Sequence, residues 1–266
     1  MNNWFRITKQ TIIDYWKLTL IITILFMGIA AMYALIYPAF KDAIIDLINS
    51  GFAESFSAFR GSEDLGSYIG FLNIELYQIF WILILAIIIG FFAATSISKE
   101  IESKTIDLLL SNPVSRKQIV FERFLGFIPF ILIVNFSVMA TVLVTTAAIG
   151  EEINVGYLFM THLVSIPYFL TVVGIGIIIS VIIDEKMKAS IFVIAILIGM
   201  YIFESISLLS PKYESLGFIS ITHYFDPYDV LKSGDVDLVG LVILFVIAFE
   251  CVLFSMLYFE KRDIRI

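Results

Sequence analysis

The sequence predicts an all-α membrane protein with six membrane-spanning helices, and three observations support that fold class. Of the 266 residues, 60% are hydrophobic and only 15% are charged, whereas soluble domains contain about 45–50% apolar and about 25% charged residues. The mean hydropathy is +0.98, an apolar excess too large for a soluble globule of this length to bury. Six runs of about 20 mostly apolar residues are each long enough to cross about 30 Å of hydrocarbon.

We interpret residues 1–266 as one membrane domain, because the sequence contains no internal repeat, low-complexity linker or appended soluble segment. The first four spans contain no charged residue, and the last two contain one acid each, Glu204 and Glu250. The first run exceeds the apolar core of an ordinary signal peptide and lacks a small-residue cleavage site, so we expect it to be retained. The predicted spans are residues 18–40, 76–98, 124–150, 157–183, 189–210 and 238–259.

The lysines and arginines predict the orientation of these spans, because cytoplasmic loops carry an excess of positive charge. Thirteen of the 17 lie in the two terminal segments and in the segments that follow the second and fourth spans. The alternating segments contain only four, which are Lys41, Arg60, Lys212 and Lys232. We therefore expect a multi-pass protein of the plasma membrane with both termini in the cytoplasm, in agreement with an even number of spans.

The composition also argues against several functions. A net charge of −7 does not provide the dense basic surface that nucleic-acid binding requires. The lone cysteine, Cys251, excludes an intrachain disulfide, and with two histidines a zinc site of the usual ligand composition is not expected. We expect no bound metal.

Residues 1–17 fit an N-terminal interfacial helix that lies along the inner membrane surface and then turns into the first span. At 100° per residue, Arg6, Gln10, Asp14 and Lys17 share about a quarter of the helical wheel. The aromatic residues, such as Trp16, face elsewhere and favour the headgroup layer. Ordinary flanking anchors are an equally good interpretation of the same pattern.

Residues 99–123 form the largest predicted cytoplasmic loop, and their pattern predicts two helices. Glu100 and Lys104 are four residues apart with the acid first, a spacing that supports a helix. The dipeptide at Asn112 and Pro113 ends that helix. A helix, a proline break and a second helix would make a rigid elbow, a name used here for residues 99–116.

The second helix of this loop begins at a capping box formed by Ser115 and Gln118, so its first residue is Arg116. Arg116 and Lys117 then lie in the first turn, where positive charge opposes the helix dipole. We expect an anionic lipid or an acidic partner to offset that cost.

The segment from Glu100 to Arg116 resembles the loop between the second and third spans of type-2 ABC transporter permeases. That family's pattern runs approximately Glu, small residues, Gly-Thr-Leu-Glu-Leu-Leu-Leu-Ser, any residue, Pro-Val-Ser-Arg. Asp107 stands for the usual glutamate and Lys104 for the usual glycine. Because lysine replaces glycine, the sequence does not decide whether the backbone turns at this position. The matching positions are Thr105, Leu108, Leu109, Leu110, Pro113, Val114, Ser115 and Arg116.

The resemblance implies a coupling helix that sits in a cleft of a cytoplasmic ABC ATPase subunit. It also implies that ATP binds to that separate subunit, and that two permease chains, identical or related, work with two ATPases. No Gly-x-x-x-x-Gly-Lys-[Ser/Thr] motif occurs in the chain, so we do not expect it to be an enzyme that hydrolyses ATP. The residues expected to contact the ATPase are Glu100, Glu102, Thr105, Asp107, Leu108, Leu109, Leu110, Pro113, Ser115 and Arg116.

The segment before the last span predicts a short outer helix of two turns. Asp226 suits the N-cap, Pro227 the first helical position and Gly234 the C-terminal stop, and Tyr228 lies between them. The resemblance implies that this segment enters the outer leaflet and lines the exit, although interfacial packing alone explains it equally well. A second surface helix is expected from the helical spacing of Phe52, Phe56 and Phe59.

Glu204 and Glu250 lie inside predicted spans, where a carboxylate must face protein or water or be protonated. At 1.5 Å per residue they lie about 7 Å and about 18 Å from the outer ends of their helices, so we do not expect them to pair. They are candidates for a translocation path, and hydrogen-bonded packing between helices is the alternative. His162 is expected to be a hydrogen-bonded packing residue.

The main hypothesis is a permease subunit of an ATP-driven ABC exporter that moves a substrate out of the cell. An ion-coupled secondary carrier that uses Glu204 or Glu250 is the first alternative. An intramembrane enzyme is a weaker one, because no HExxH or GxSxG motif appears in the spans. A membrane anchor or sensor that recruits an ATPase without transport is a third.

Overall fold

The computed structural model describes residues 5–49, 58–106 and 114–262, which fold into helices joined by short turns, with no strand in these ranges. Six of the helices are long and apolar enough to cross a membrane. A short helix, α6 (Pro227–Ser233), precedes the last of them. The six long helices are α1 (Arg6–Asn49), α2 (Tyr68–Glu102), α3 (Arg116–Ile149), α4 (Val155–Ile182), α5 (Lys186–Leu209) and α7 (Leu238–Lys261).

Successive long helices run in opposite directions, so the bundle has two ends. The elbow end holds residues 99–106 and 114–116, together with the first turn of α1 and the last turn of α7. The loop end holds residues 58–67 and 210–237. Each of the six predicted spans corresponds to one long helix. Three spans lie inside their helices, and the other three extend beyond the helix end by one residue.

The first helix differs from the expectation in one respect. The structure continues α1 without a break from Arg6 to Asn49, so residues 6–17 are the first turns of the spanning helix rather than a separate helix that bends into it. A helix of 44 residues is about 66 Å long, about twice the thickness of the hydrocarbon layer. An interfacial position for its first turns stays a prediction.

The elbow also differs from its predicted form. The helix α2 ends at Glu102, and Ser103 and Lys104 form a turn, so Glu100 and Lys104 do not share the predicted helix. Several predicted contact positions lie outside the described residues, namely Asp107, Leu108, Leu109, Leu110 and Pro113, as do Phe52 and Phe56.

The core of the bundle is formed by α2 and α4, whose surfaces are the most enclosed, whereas α5 is the most exposed long helix. Glycines bring the two central helices together. A Cβ atom added to Gly176 would lie 2.6 Å from the Cβ of Ala93 and 2.9 Å from the carbonyl oxygen of Gly90. The hydroxyl of Ser180 accepts from the backbone N–H of Ile97 at 2.8 Å. Small residues thus set the distance between these helices.

The middle of α2 is a π-helix from Asn73 to Leu85. The π-helix is rare and is frequently found at functional sites. This segment places Tyr77 and Trp81 in the core with no exposed surface. The π-helix therefore faces the centre of the bundle with large, partly polar side chains.

Candidate functional site

The elbow begins with a backbone turn at the position where the resemblance leads one to expect a glycine. Lys104 has φ +57°, the left-handed conformation that glycine adopts at no steric cost. The carbonyl of Glu100 accepts from the N–H of Thr105 at 2.9 Å, and the hydroxyls of Thr105 and Ser103 lie 2.9 Å apart. The turn exists although lysine occupies it.

Glu102, a predicted contact residue, joins two helices of the bundle. Its Oε2 atom accepts from the backbone N–H of Lys186 at 2.9 Å. The N-cap residue of α5, Glu185, makes no capping hydrogen bond of its own. Glu102 therefore supplies the missing acceptor and fastens the start of α5 to the end of α2.

On the far side of the elbow the structure has the predicted N-cap at Ser115, whereas the Gln118 side chain bonds to Glu122 rather than completing the capping box. The hydroxyl of Ser115 accepts from the N–H of Gln118 at 3.1 Å, and α3 begins at Arg116. The guanidinium of Arg116 donates to the carbonyls of Phe259, at 3.3 Å, and of Arg262.

The cost of positive charge in the first turn of α3 is offset inside the chain. Arg116 caps the C-terminus of α7, where a cation interacts favourably with the helix dipole. Lys117 forms an ion pair of 2.8 Å with Glu260 on the same helix. The structure thus provides partners for both charges without an anionic lipid.

Two charged residues that sequence reasoning passed over lie at the centre of the elbow end. Glu122 has no exposed surface, and Arg123 has 1%. The sequence predicts both in the helix that begins at Arg116, where an acid and a base stand directly before an uncharged run of 27 residues. Because α3 begins at Arg116, both belong to its second turn and point into the bundle, where their charges need partners.

Those partners come from α1 and α2. Glu122 accepts from the backbone N–H of Ile7 at 2.8 Å and of Thr8 at 3.1 Å. Arg123 donates to the hydroxyl of Thr11 at 3.0 Å and to the carboxylate of Glu100. Three helices therefore meet through buried hydrogen bonds directly beside the elbow.

A polar hollow of about 620 Å³ lies between the start of α1, the end of α2 and the start of α5. Among the predicted contact residues, Glu100, Glu102 and Thr105 line this hollow, whereas Ser115 and Arg116 do not. The other lining residues are Asp14, Lys99, Ser103 and Lys186.

The loop end contains a second set of buried charges, centred on Arg60. Its Nε atom lies 3.1 Å from Oε1 of Glu204, and its Nη1 atom lies 3.0 Å from Oδ2 of Asp226. His223 Nδ1 lies 3.0 Å from the other oxygen of Glu204. Glu204 is 6% exposed, so its carboxylate is buried and hydrogen-bonded, and a place on a translocation path stays a prediction.

Burial and pairing have opposite effects on these groups. Burial raises the pKa of Asp226 above its ordinary value, against the opposing attraction of Arg60. Burial also lowers the pKa of Arg60, but the nearby Asp226 and Glu204 carboxylates outweigh it and leave that pKa raised. Ionised Asp226 therefore depends on Arg60.

The short helix α6 forms as predicted. Asp226 accepts from the N–H of Tyr228 at 2.9 Å, Pro227 is the first residue, and the helix ends at Gly234 with φ +74°. The Tyr228 hydroxyl donates to Asp64 at 3.2 Å, which connects α6 to the segment before α2. Its role at an exit path stays a prediction.

Glu250 lies apart from both charge clusters. It is exposed on α7, while Ala248, Cys251 and Ser255 of the same helix face the bundle. Its side chain forms no hydrogen bond or ion pair with the described residues. Glu204 and Glu250 are therefore not paired, in agreement with the sequence.

A chain of polar side chains crosses the buried centre. His162 Nε2 lies 3.0 Å from the Tyr77 hydroxyl, and its Nδ1 lies 2.7 Å from Oδ1 of Asn135. Asn135 donates to the Ser165 hydroxyl at 2.7 Å. His162 is thus a hydrogen-bonded packing residue, as expected. No three metal-binding side chains cluster within residues 5–49, 58–106 and 114–262.

Six apolar helices with charged junctions at both ends define a multi-pass membrane protein. Residues 10–264 match a family whose description is ABC-2 family transporter protein. The chain belongs to that family and is the membrane-embedded permease component of an ABC transporter. A comparison with curated proteins finds no match.

Proposed function

We propose that this permease is a subunit of an ATP-driven exporter and receives its energy from a separate cytoplasmic ATPase. The elbow end would face the cytoplasm, as the distribution of lysine and arginine predicts. ATP would bind to the ATPase, and two permease chains, identical or related, would enclose the substrate path at their interface. The elbow would sit against the ATPase and carry its movement to the spans.

One observation supports this mechanism more than any other. The residues on both sides of the elbow are bonded to three other parts of the bundle. Glu102 holds α5, Glu100 reaches α3 through Arg123, and Arg116 holds the end of α7. A displacement of the elbow would therefore act on most of the long helices at once.

The test replaces Leu108 and Leu109 by aspartate in the chain co-expressed with its candidate ABC ATPase subunit. We expect the double variant to lose ATPase binding, because charged side chains cannot enter an apolar cleft without a large desolvation cost. The matched control places the same two charges at the opposite end, at the exposed Phe218 and Ile219. Wild-type levels of ATPase binding in the elbow variant would contradict the proposal.

An ion-coupled carrier is the second candidate, and the exposure of Glu250 on its helix favours it. Glu204 supports it less, because its carboxylate is engaged by Arg60 and His223. Proton movement into liposomes that contain the purified chain alone, followed with a pH-sensitive dye, would support this candidate. Its loss in Glu250→Gln would assign the proton to that residue.

A further inference from the structure

The carboxylate of Glu122 on α3 caps the first turn of α1. It accepts from the backbone N–H groups of Ile7 and Thr8, and the Thr8 hydroxyl donates back to the Glu122 carbonyl at 3.1 Å. Gln118 donates to its second carboxylate oxygen at 2.6 Å. An acid at this position satisfies N–H groups that a helix start otherwise leaves unpaired and interacts favourably with the helix dipole.

The same two helices are in direct contact one turn further along. A Cβ atom added to Gly126 would lie 2.6 Å from the Cβ of Thr11, so the backbone of α3 lies directly against α1. Arg123 donates to the Thr11 hydroxyl at 3.0 Å. The helices are therefore joined by both packing and buried hydrogen bonds at the elbow end.

A further contact joins them at the loop end. Lys41 near the end of α1 forms an ion pair of 3.2 Å with Glu151, two residues after α3 ends. Both helices begin at the elbow end and run in the same direction. They form a parallel pair that is fastened at each end.

The two helices differ in how they reach the elbow. The chain leaves the elbow and enters α3 at Arg116, so α3 is pulled directly. The start of α1 is connected to the elbow along the chain only through the rest of α1 and all of α2. Any movement of the elbow must reach the start of α1 through side chains, and the fully buried Glu122 carboxylate accepts two of the hydrogen bonds that join α3 to the first turn of α1.

We propose that Glu122 is a positioning residue that makes α1 move together with α3 when the elbow is displaced. The inference rests on the proposed function, because it assumes that an ATPase moves the elbow. Glu122 touches neither ATP nor substrate in this mechanism. Glu122 makes the two parallel helices move as one rigid body, so that α1 follows the movement of the ATPase without contacting that subunit.

The test measures distances between spin labels in the permease–ATPase complex in nanodiscs, without ATP and with ATP and vanadate. One label pair joins Ile21 on α1 to Ile191 on α5, and the other joins Ile133 on α3 to Ile191. All three positions are exposed, and every variant also carries Cys251→Ala. In the otherwise wild-type chain, we expect the nucleotide to shift both distances together.

In Glu122→Ala we expect only the α3 pair to shift, while the α1 pair keeps its nucleotide-free distance. Glutamine has the same shape as glutamate but no charge. In Glu122→Gln the difference between the α1 shift and the α3 shift should therefore be smaller than in Glu122→Ala. Thr8→Val is the matched control, because it removes the hydroxyl contact at the same junction and leaves the carboxylate cap in place. It should behave as wild type.

Equal shifts of both pairs in Glu122→Ala would overturn this role for Glu122. If that variant does not fold, equal shifts in Glu122→Gln would overturn it. Absence of any nucleotide-dependent shift in the wild-type complex would instead overturn the proposed function. A loss of coordinated shifts in Thr8→Val as large as in Glu122→Gln would assign the effect to general packing and also overturn the proposal.

Discussion

The Nε atom of Arg60 lies 3.1 Å from the Glu204 carboxylate, although 144 residues separate them in the sequence. Through Asp226 the same guanidinium also reaches the start of α6. One side chain therefore joins the segment before α2, the end of α5 and the helix before α7. This ion pair fixes the relative positions of three loop-end elements.

Arg60→Ala should therefore lower the free energy of unfolding by about 3 kcal/mol, because it leaves two buried carboxylates without their cation. Breaking a buried ion pair costs about 3–5 kcal/mol, and we take the lower end of that range because 23% of the Arg60 side chain is exposed. Arg60→Lys should lose less, since it keeps the charge but not the fork geometry. Thermal unfolding in detergent measures both effects.

Lys41→Ala is the control for Arg60. It removes the Lys41–Glu151 pair, in which the lysine side chain is 45% exposed, and exposed ion pairs contribute little to stability, so its loss should be much smaller than that of Arg60→Ala. Equal losses in Arg60→Ala and Lys41→Ala would show that burial of the Arg60 cluster adds no stability.

Lys104→Gly should stabilise the protein by about 1 kcal/mol, because a residue with a Cβ atom pays that much in the left-handed conformation. Lys104→Ala removes the same lysine chain but keeps the Cβ atom, so it should give no such gain. The thermal midpoints of the two variants make the comparison. A gain in both would trace the effect to the lysine charge rather than to the backbone.

Gly176→Ala should destabilise the protein by about 1–3 kcal/mol, because the new methyl group overlaps Ala93 and the Gly90 carbonyl and forces α2 and α4 apart. Gly199→Ala is the matched control in α5, where an added Cβ atom meets nothing within 4 Å. It should be neutral or add up to about 1 kcal/mol from helix propensity. Equal midpoints for the two variants would contradict the close approach of α2 and α4.

The local features of the fold could be predicted from the sequence because short-range physics determines them. Apolar runs located the six long helices, Ser115 located the start of α3, and the Asp226 to Gly234 pattern located α6. Each of these signals needs only neighbouring residues. The only sign of the backbone turn at Lys104 was that lysine stands where the resembling family has glycine.

The charged junctions could not be predicted, because they join residues far apart in the chain. Nothing near Glu122 indicates that its carboxylate accepts from the N–H of Ile7, 115 residues away. The same holds for Arg60, which the sequence presents as one of four cations in outer loops. Residues 6–17 continue into the first span as one helix, and the sequence does not distinguish that arrangement because aromatic and charged residues fit a continuing helix as well as an interfacial one.

The two acids inside the spans provide the last prediction, because the same substitution should affect them differently. Glu204→Gln removes the charge that pairs with Arg60 and should cost about 2 kcal/mol, the range for a hydrogen bond between charged groups. Glu250→Gln should change the stability by less than about 0.5 kcal/mol, because its exposed side chain has no partner among the described residues. Thermal unfolding of the two variants in the same detergent tests the difference. A large loss in Glu250→Gln would reveal a contact with a second chain, since the described part of this chain offers it none.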